Sequence, residues 1–85
     1  MKNKRILVTG GAGYLGYHLA QNLPRRGAAF MAFNDIAPFI EEEYPEGSLL
    51  VNVDVRDAEA MYRLIHDNKI DIIVHCAAAL PLWKR

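Results

Sequence analysis

The feature that most limits what this chain can fold into is a run of glycines between two differently patterned segments. Arg5-Ile6-Leu7-Val8-Thr9 is a short unbroken apolar run, and Gly10, Gly11, Gly13 and Gly16 follow at once. A run of that length without polar alternation reads as a strand buried on both faces. From Tyr14 to Leu23 the pattern changes to a helical one. Leu15, Leu19 and Leu23 recur every four residues, with Gly16 and Ala20 as a small-residue stripe beside them. Pro24 predicts that this helix stops or frays at Leu23. Arg25 and Arg26 suit its C-terminus, and Gly27 suits a left-handed cap.

A buried strand, a glycine turn and a helix in that order make an anion site. Gly10 allows the tight turn out of the strand, Gly13 lets a pyrophosphate approach the backbone, and Gly16 lets the helix pack closely on the sheet. The anion would meet free N–H groups and the positive end of the helix dipole. No Lys-Ser or Lys-Thr follows Gly16, which excludes a P-loop for ATP or GTP. A methyltransferase turn for S-adenosylmethionine lacks this Gly-x-x-Gly-x-x-Gly spacing, so that reading ranks well below a dinucleotide.

The rest of the chain repeats the alternation. Strands are predicted over Ala28–Asn34, Leu49–Val53 and Asp71–His75, and a helix over Asp57–Asn68 with Asp57 as N-cap and Met61, Leu64 and Ile65 as its apolar face. Between residues 36 and 48, two prolines and four glutamates predict a solvated loop with one helical turn. The expected fold class is α/β: a Rossmann-type doubly wound parallel sheet, present in part with about four strands. Its fourth strand would be an apolar edge, open to pairing with further chain. With 52% hydrophobic residues, the chain is too apolar to be disordered. Ten Lys/Arg against ten Asp/Glu leave no basic excess for a nucleic-acid partner. No apolar run approaches the ~20 residues of a membrane span, nor is there a signal-peptide core. A single cysteine, Cys76, forms no internal disulfide, and a cytoplasmic location is expected.

Three further positions carry chemistry. Asp35, at the end of the second strand, can accept hydrogen bonds from both ribose hydroxyls of an adenosine. Its charge repels a 2′-phosphate, favouring NAD over NADP. Asp54 can accept the adenine amino proton while the Val55 N–H faces a ring nitrogen, although Asp54 and Asp57 can also simply open the helix. After the fourth strand, His75 reads as a hydrogen-bonded core histidine and Cys76 as a buried small hydrophobe. The small residues Ala77, Ala78 and Ala79 leave room for a dinucleotide. His18 and His66 fall on separate helices, so no metal-ligand spacing is present.

Taken together, Thr9-Gly10-Gly11-Ala12-Gly13-Tyr14-Leu15-Gly16, Asp35-Ile36, Asp54-Val55-Arg56-Asp57 and His75-Cys76-Ala77-Ala78 run in order over nearly the whole chain. The sequence thereby resembles the N-terminal part of the extended short-chain dehydrogenase/reductases, the NAD-dependent epimerase/dehydratase family. The resemblance implies that the amides around Tyr14 and Leu15 meet the pyrophosphate and that Asp35 and Ile36 hold the adenosine. It also implies that Asp54 and Val55 bracket adenine and that Ala77, Ala78 and Ala79 border the cofactor. Members act on nucleotide-activated sugars or related alcohols through transient hydride transfer to NAD, so the expected small-molecule partner is a nucleotide sugar. A homodimer is the family's usual assembly, through helices beyond this sequence.

This sequence departs from the family pattern in three ways. Pro24 falls where a helix former is usual. The segment from Gly27 to Asp35 is one residue longer, which leaves Asn34 as the alternative ribose partner. The family's catalytic Tyr-x-x-x-Lys is absent: Tyr14, Tyr17, Tyr44 and Tyr62 are followed at that spacing by His18, Gln21, Ser48 and His66. Residues 1–85 are therefore expected to be the N-terminal part of an NAD(P)-binding domain whose catalytic and substrate-binding remainder lies elsewhere. No catalytic residue is expected here. The alternative is a non-catalytic NAD(P)-sensing module.

Overall fold

Two sets of apolar residues on opposite faces of one sheet organise the chain, as seen in a computed structural model that describes residues 2–76. The strands are β1 (Arg5–Thr9), β2 (Phe30–Asn34), β3 (Leu49–Val51) and β4 (Ile72–His75), and the helices are α1 (Tyr14–Asn22) and α2 (Ala58–Asp67). All strand pairs are parallel, in the order β3-β2-β1-β4. Along β1 the side chains alternate between the two layers. Ile6 and Val8 join Ala20, Leu23 and Phe33 on the α1 side, while Leu7 joins Ala32 and Leu64 on the α2 side. Ile6, Leu7 and Val8 are all fully buried, as expected for a central strand covered on both faces. The sheet therefore has β1 at its reversal point, with β2 on one side and β4 on the other. A crevice opens there beyond the strands' carboxyl ends.

The buried face of α1 differs from the leucine spacing. Gly16 and Ala20 are buried, whereas Leu15 is 56% exposed and only Leu19 and Leu23 of the leucine series turn inward. Gly16 sits against the backbone of Gly11 and Ala20 joins the α1-side core, while Leu15, in the first turn of the helix, faces outward. The helix does not simply stop at Pro24. It tightens into a 3-10 turn over Leu23–Arg26, with Pro24 near its start, where a missing N–H is tolerated. Gly27 closes it in the left-handed conformation, φ 89°.

The strands are shorter than their apolar runs. β2 starts at Phe30, not Ala28, and β3 ends at Val51, where Asn52 turns to other partners. β4 alternates half-buried and exposed residues, with Ile73 49% exposed, and lies at the sheet edge among the described residues. Residues 36–48 contain one 3-10 turn, Glu41–Glu43, but this segment is not merely solvated. Phe39 and Tyr44 pack against the α1-side core. No helix among the described residues is long and apolar enough to cross a membrane.

Candidate functional site

The glycine turn is built from steric requirements that differ residue by residue. Gly10 has φ 72°, a left-handed conformation that favours glycine and turns the chain sharply out of β1. A Cβ on Gly16 would lie 2.5 Å from both Cα and O of Gly11, and one on Gly11 would lie 2.8 Å from Cβ of Phe33. Gly16 is thus required, but for packing against the turn's own backbone instead of the sheet. Gly11, to which the sequence reading gave no role, is required by β2. Its signal was its place beside Gly10 at the strand end. Gly13 is different. Its φ and ψ, −84° and −179°, are extended values open to any residue, and a Cβ there would meet only Gly10 O at 3.6 Å.

Gly13 is also the N-cap of α1 and offers no side-chain cap. The helical ladder begins with Tyr17 N–H donating to Gly13 O at 2.9 Å. The amides of Tyr14, Leu15 and Gly16 precede that bond and have no acceptor within the helix. The Tyr14 and Leu15 side chains stand out in solvent, 82% and 56% exposed.

Beside this turn lies a cavity of about 500 Å³, whose lining includes Gly10, Gly13, Asp35, Ile36, Asp54 and Val55. Six predicted positions from three strand ends are thereby brought together, within the usual volume range of ligand sites. Ala77, Ala78 and Ala79 lie outside the described residues.

Asp35 and Asn34 point their polar atoms to different places. The Asp35 carboxylate accepts from Ala12 N–H through Oδ2 and from Ala37 N–H through Oδ1, both at 3.0 Å. It sits across from the glycine turn, and each oxygen has a second lone pair to offer. Asn34 is fully buried; its Oδ1 accepts from Val53 N–H at 2.8 Å and its Nδ2 contacts Met61 Sδ at 3.7 Å. Its amide is engaged inside the protein. Asn52, expected only as part of the third strand, donates through Nδ2 to the carbonyls of Asp35 and Ala37 at 2.8 and 2.9 Å. It fixes the chain immediately after the carboxylate.

Asp54 and Asp57 also separate. Asp57 caps α2, its Oδ1 accepting from Ala60 N–H at 3.1 Å. Asp54 instead holds Arg56, with Arg56 Nη2 to Oδ2 at 2.8 Å and Arg56 N–H to Oδ1 at 2.9 Å. These hydrogen bonds hold the Asp54 carboxyl down at about 2. The sequence placed Arg56 in the motif without a partner; opposite charges two residues apart on a strand-to-helix turn were the available sign.

His75 corrects its expectation in part. Its Nδ1 meets the buried Thr9 Oγ1 at 2.6 Å, so it is hydrogen-bonded, yet on the edge strand it is exposed, not in the core. Cys76 is half-buried, and burial pushes its thiol up, away from thiolate chemistry.

Comparison with known proteins agrees with this geometry. Residues 6–85 match the model of the NAD dependent epimerase/dehydratase family. UDP-glucose 4-epimerase of Azospirillum brasilense is 34% identical over 76 residues, covering 89% of this chain and 22% of that protein. The crystal structure of the Thermus thermophilus UDP-glucose 4-epimerase complexed with NAD superposes with a TM-score of 0.74 at 37% identity, over 88% of this chain and 24% of that one. The Bordetella bronchiseptica enzyme WbmG, in complex with NAD and UDP, gives 0.79 at 32% identity, over 95% and 27%. The chain thus spans about a quarter of the length of these proteins.

Proposed function

The chain belongs to the NAD-dependent epimerase/dehydratase family, and from that membership we propose that residues 1–85 are the NAD-gripping portion of an enzyme acting on a nucleotide-activated sugar. Gly13 carries the reading. The protein's own packing gives no reason for a glycine there, whereas a diphosphate seated on the neighbouring amides does. In this reading the Tyr14, Leu15 and Gly16 amides hold the pyrophosphate, and Gly10 and Gly13 leave it room.

Asp35, not Asn34, binds the adenosine ribose: both line the cavity, but the Asn34 amide is already engaged with Val53 and Met61, whereas each Asp35 oxygen accepts a single hydrogen bond and has a further lone pair to offer. Ile36 covers the adenosine, and Asp54 with Val55 brackets adenine. Asp54 is an ionised acceptor for an amino proton at neutral pH, and its hydrogen bonds with Arg56 fix the orientation of the carboxylate. NAD is preferred over NADP. Asp35 repels a 2′-phosphate, and the Arg56 guanidinium in the lining is paired with Asp54.

Bound NAD supplies a reversible hydride acceptor; the work of these residues is to bind and orient it. No tyrosine in the 85 residues precedes a lysine at the four-residue spacing, so proton transfer to the sugar falls to groups outside them. Calorimetric titration with NAD and NADP, on the wild type and Asp35→Ala, tests the proposal. NAD should bind more tightly, and the preference should shrink in the variant. Indifference to the two cofactors in both proteins would take the ribose contact away from Asp35, and no binding of either would remove the reading altogether.

A further inference from the structure

The loop over residues 36–48 returns one side chain to the glycine turn. Tyr44 donates its hydroxyl hydrogen to the Gly11 carbonyl at 2.5 Å. Its ring is held from two sides, in edge contacts with Phe33 at 5.0 Å and Phe39 at 5.3 Å between centroids. The loop backbone is itself tied to α1, where Gln21 Nε2 donates to Glu43 O at 2.8 Å. At the turn, Gly11 N–H donates to Asn34 O at 3.0 Å and Ala12 N–H to Asp35 Oδ2 at 3.0 Å. With Tyr44 on the Gly11 carbonyl, the peptide linking Gly11 to Ala12 is gripped at both its oxygen and its nitrogen. That peptide leads directly into Gly13 and the first turn of α1, so its plane sets where the following amides aim.

We propose that Tyr44 is a positioning residue for the anion-binding turn, its hydroxyl fixing the Gly11–Ala12 peptide so that the amides of residues 14–16 are preset for a diphosphate. The inference rests on the reading of this turn as the diphosphate seat. The phenol is a protonated donor at neutral pH, and burial, then the charges of Glu43 and Asp35, push it further up. Preset donors avoid the ordering cost that a mobile loop would meet on binding.

Tyr44→Phe keeps the ring between Phe33 and Phe39 and removes only the donor. The variant and the wild type are compared, as whole chains, by amide hydrogen exchange without ligand and by titration with NAD, ADP and adenosine. Exchange at residues 12–16 should quicken with the rest of the chain unchanged. Affinity for NAD and ADP should fall about three- to tenfold, the worth of roughly one hydrogen bond, while adenosine binds as before. A tyrosine with only a packing role would leave exchange at the turn unaltered or move all three ligands together, and either result overturns the proposal. Quickened exchange confined to the turn in a protein whose wild type binds neither NAD nor ADP would uphold the positioning by Tyr44 and instead defeat the diphosphate reading.

Discussion

Replacing Gly13 and Gly16 separately by alanine divides the binding of a ligand from the folding of the chain. At Gly16 the new methyl carbon lies 2.5 Å from two backbone atoms of Gly11, about an ångström inside ordinary contact. Backbone atoms in a turn held by Asn34, Asp35 and Tyr44 cannot yield cheaply. Overpacking of this kind costs about 1–3 kcal/mol, against a total stability of roughly 4–13 kcal/mol for a chain of this length. The melting temperature should fall by roughly 5–20 °C. At Gly13 the methyl meets only Gly10 O at 3.6 Å in an extended conformation. Reduced freedom of the unfolded chain contributes about 0.4–1 kcal/mol, and the poorer N-cap offsets a similar amount. The variant should therefore melt within a few degrees of the wild type. Its cofactor affinity should not survive. The methyl stands off the diphosphate from amides whose charge-assisted hydrogen bonds contribute about 1.5–3 kcal/mol each, so losing one raises the Kd for NAD about 10- to 150-fold. Thermal circular dichroism and calorimetric titration on both variants make the test. A Gly13→Ala protein that folds normally and binds NAD like the wild type would refute the reasoning, because the turn's open face would then have no ligand to explain it.

Two other outcomes follow from the polar atoms around the cavity. Asn34→Ala removes the acceptor of the Val53 N–H, and leaving that donor unpaired costs about 1–3 kcal/mol; the melting temperature should drop while the ratio of NAD to NADP affinity stays constant, and a changed ratio would return Asn34 to the ribose site. Arg56→Ala should raise the Asp54 carboxyl from about 2 toward the ordinary 3.8, read by carbon NMR of the carboxylate. Since the folded value is the lower one, whatever this pair adds to stability is complete above about pH 4 and fades as the pH falls toward 2. Wild type and variant should differ only above that acid range, and a midpoint still near 2 in the variant would assign the shift to another group.

The parallel sheet, the placement of the glycine turn and the helix cap at Asp57 were legible because each rests on neighbours in sequence. An unbroken apolar run, a change of period at Tyr14 and a carboxylate before Ala58 need no knowledge of the rest of the fold. The interior face of α1 was not legible in the same way. Leu15, Leu19 and Leu23 make a helical stripe on paper, yet the close approach of Gly16 to the Gly11 backbone puts Gly16 and Ala20 on the inside and leaves Leu15 out. Likewise, Asn34 and Asp35 are adjacent and both polar. Only the tertiary structure sends the Asn34 amide to the Val53 N–H and the neighbouring Asp35 carboxylate to the Ala12 N–H.

By itself, then, the sequence determined a strand, a glycine turn and a helix in succession, since these follow from side-chain size and local backbone preference. The tertiary structure decided which glycines the protein needs for its own packing and which it does not, because that depends on atoms brought close from β2 and from the turn itself. It also brought Tyr44 back from residues 36–48 onto the Gly11 carbonyl, a contact across 33 positions that no local pattern encodes. Packing of the Tyr44 ring between Phe39 and the buried Phe33 accompanies that return, and the hydroxyl meets the Gly11 carbonyl.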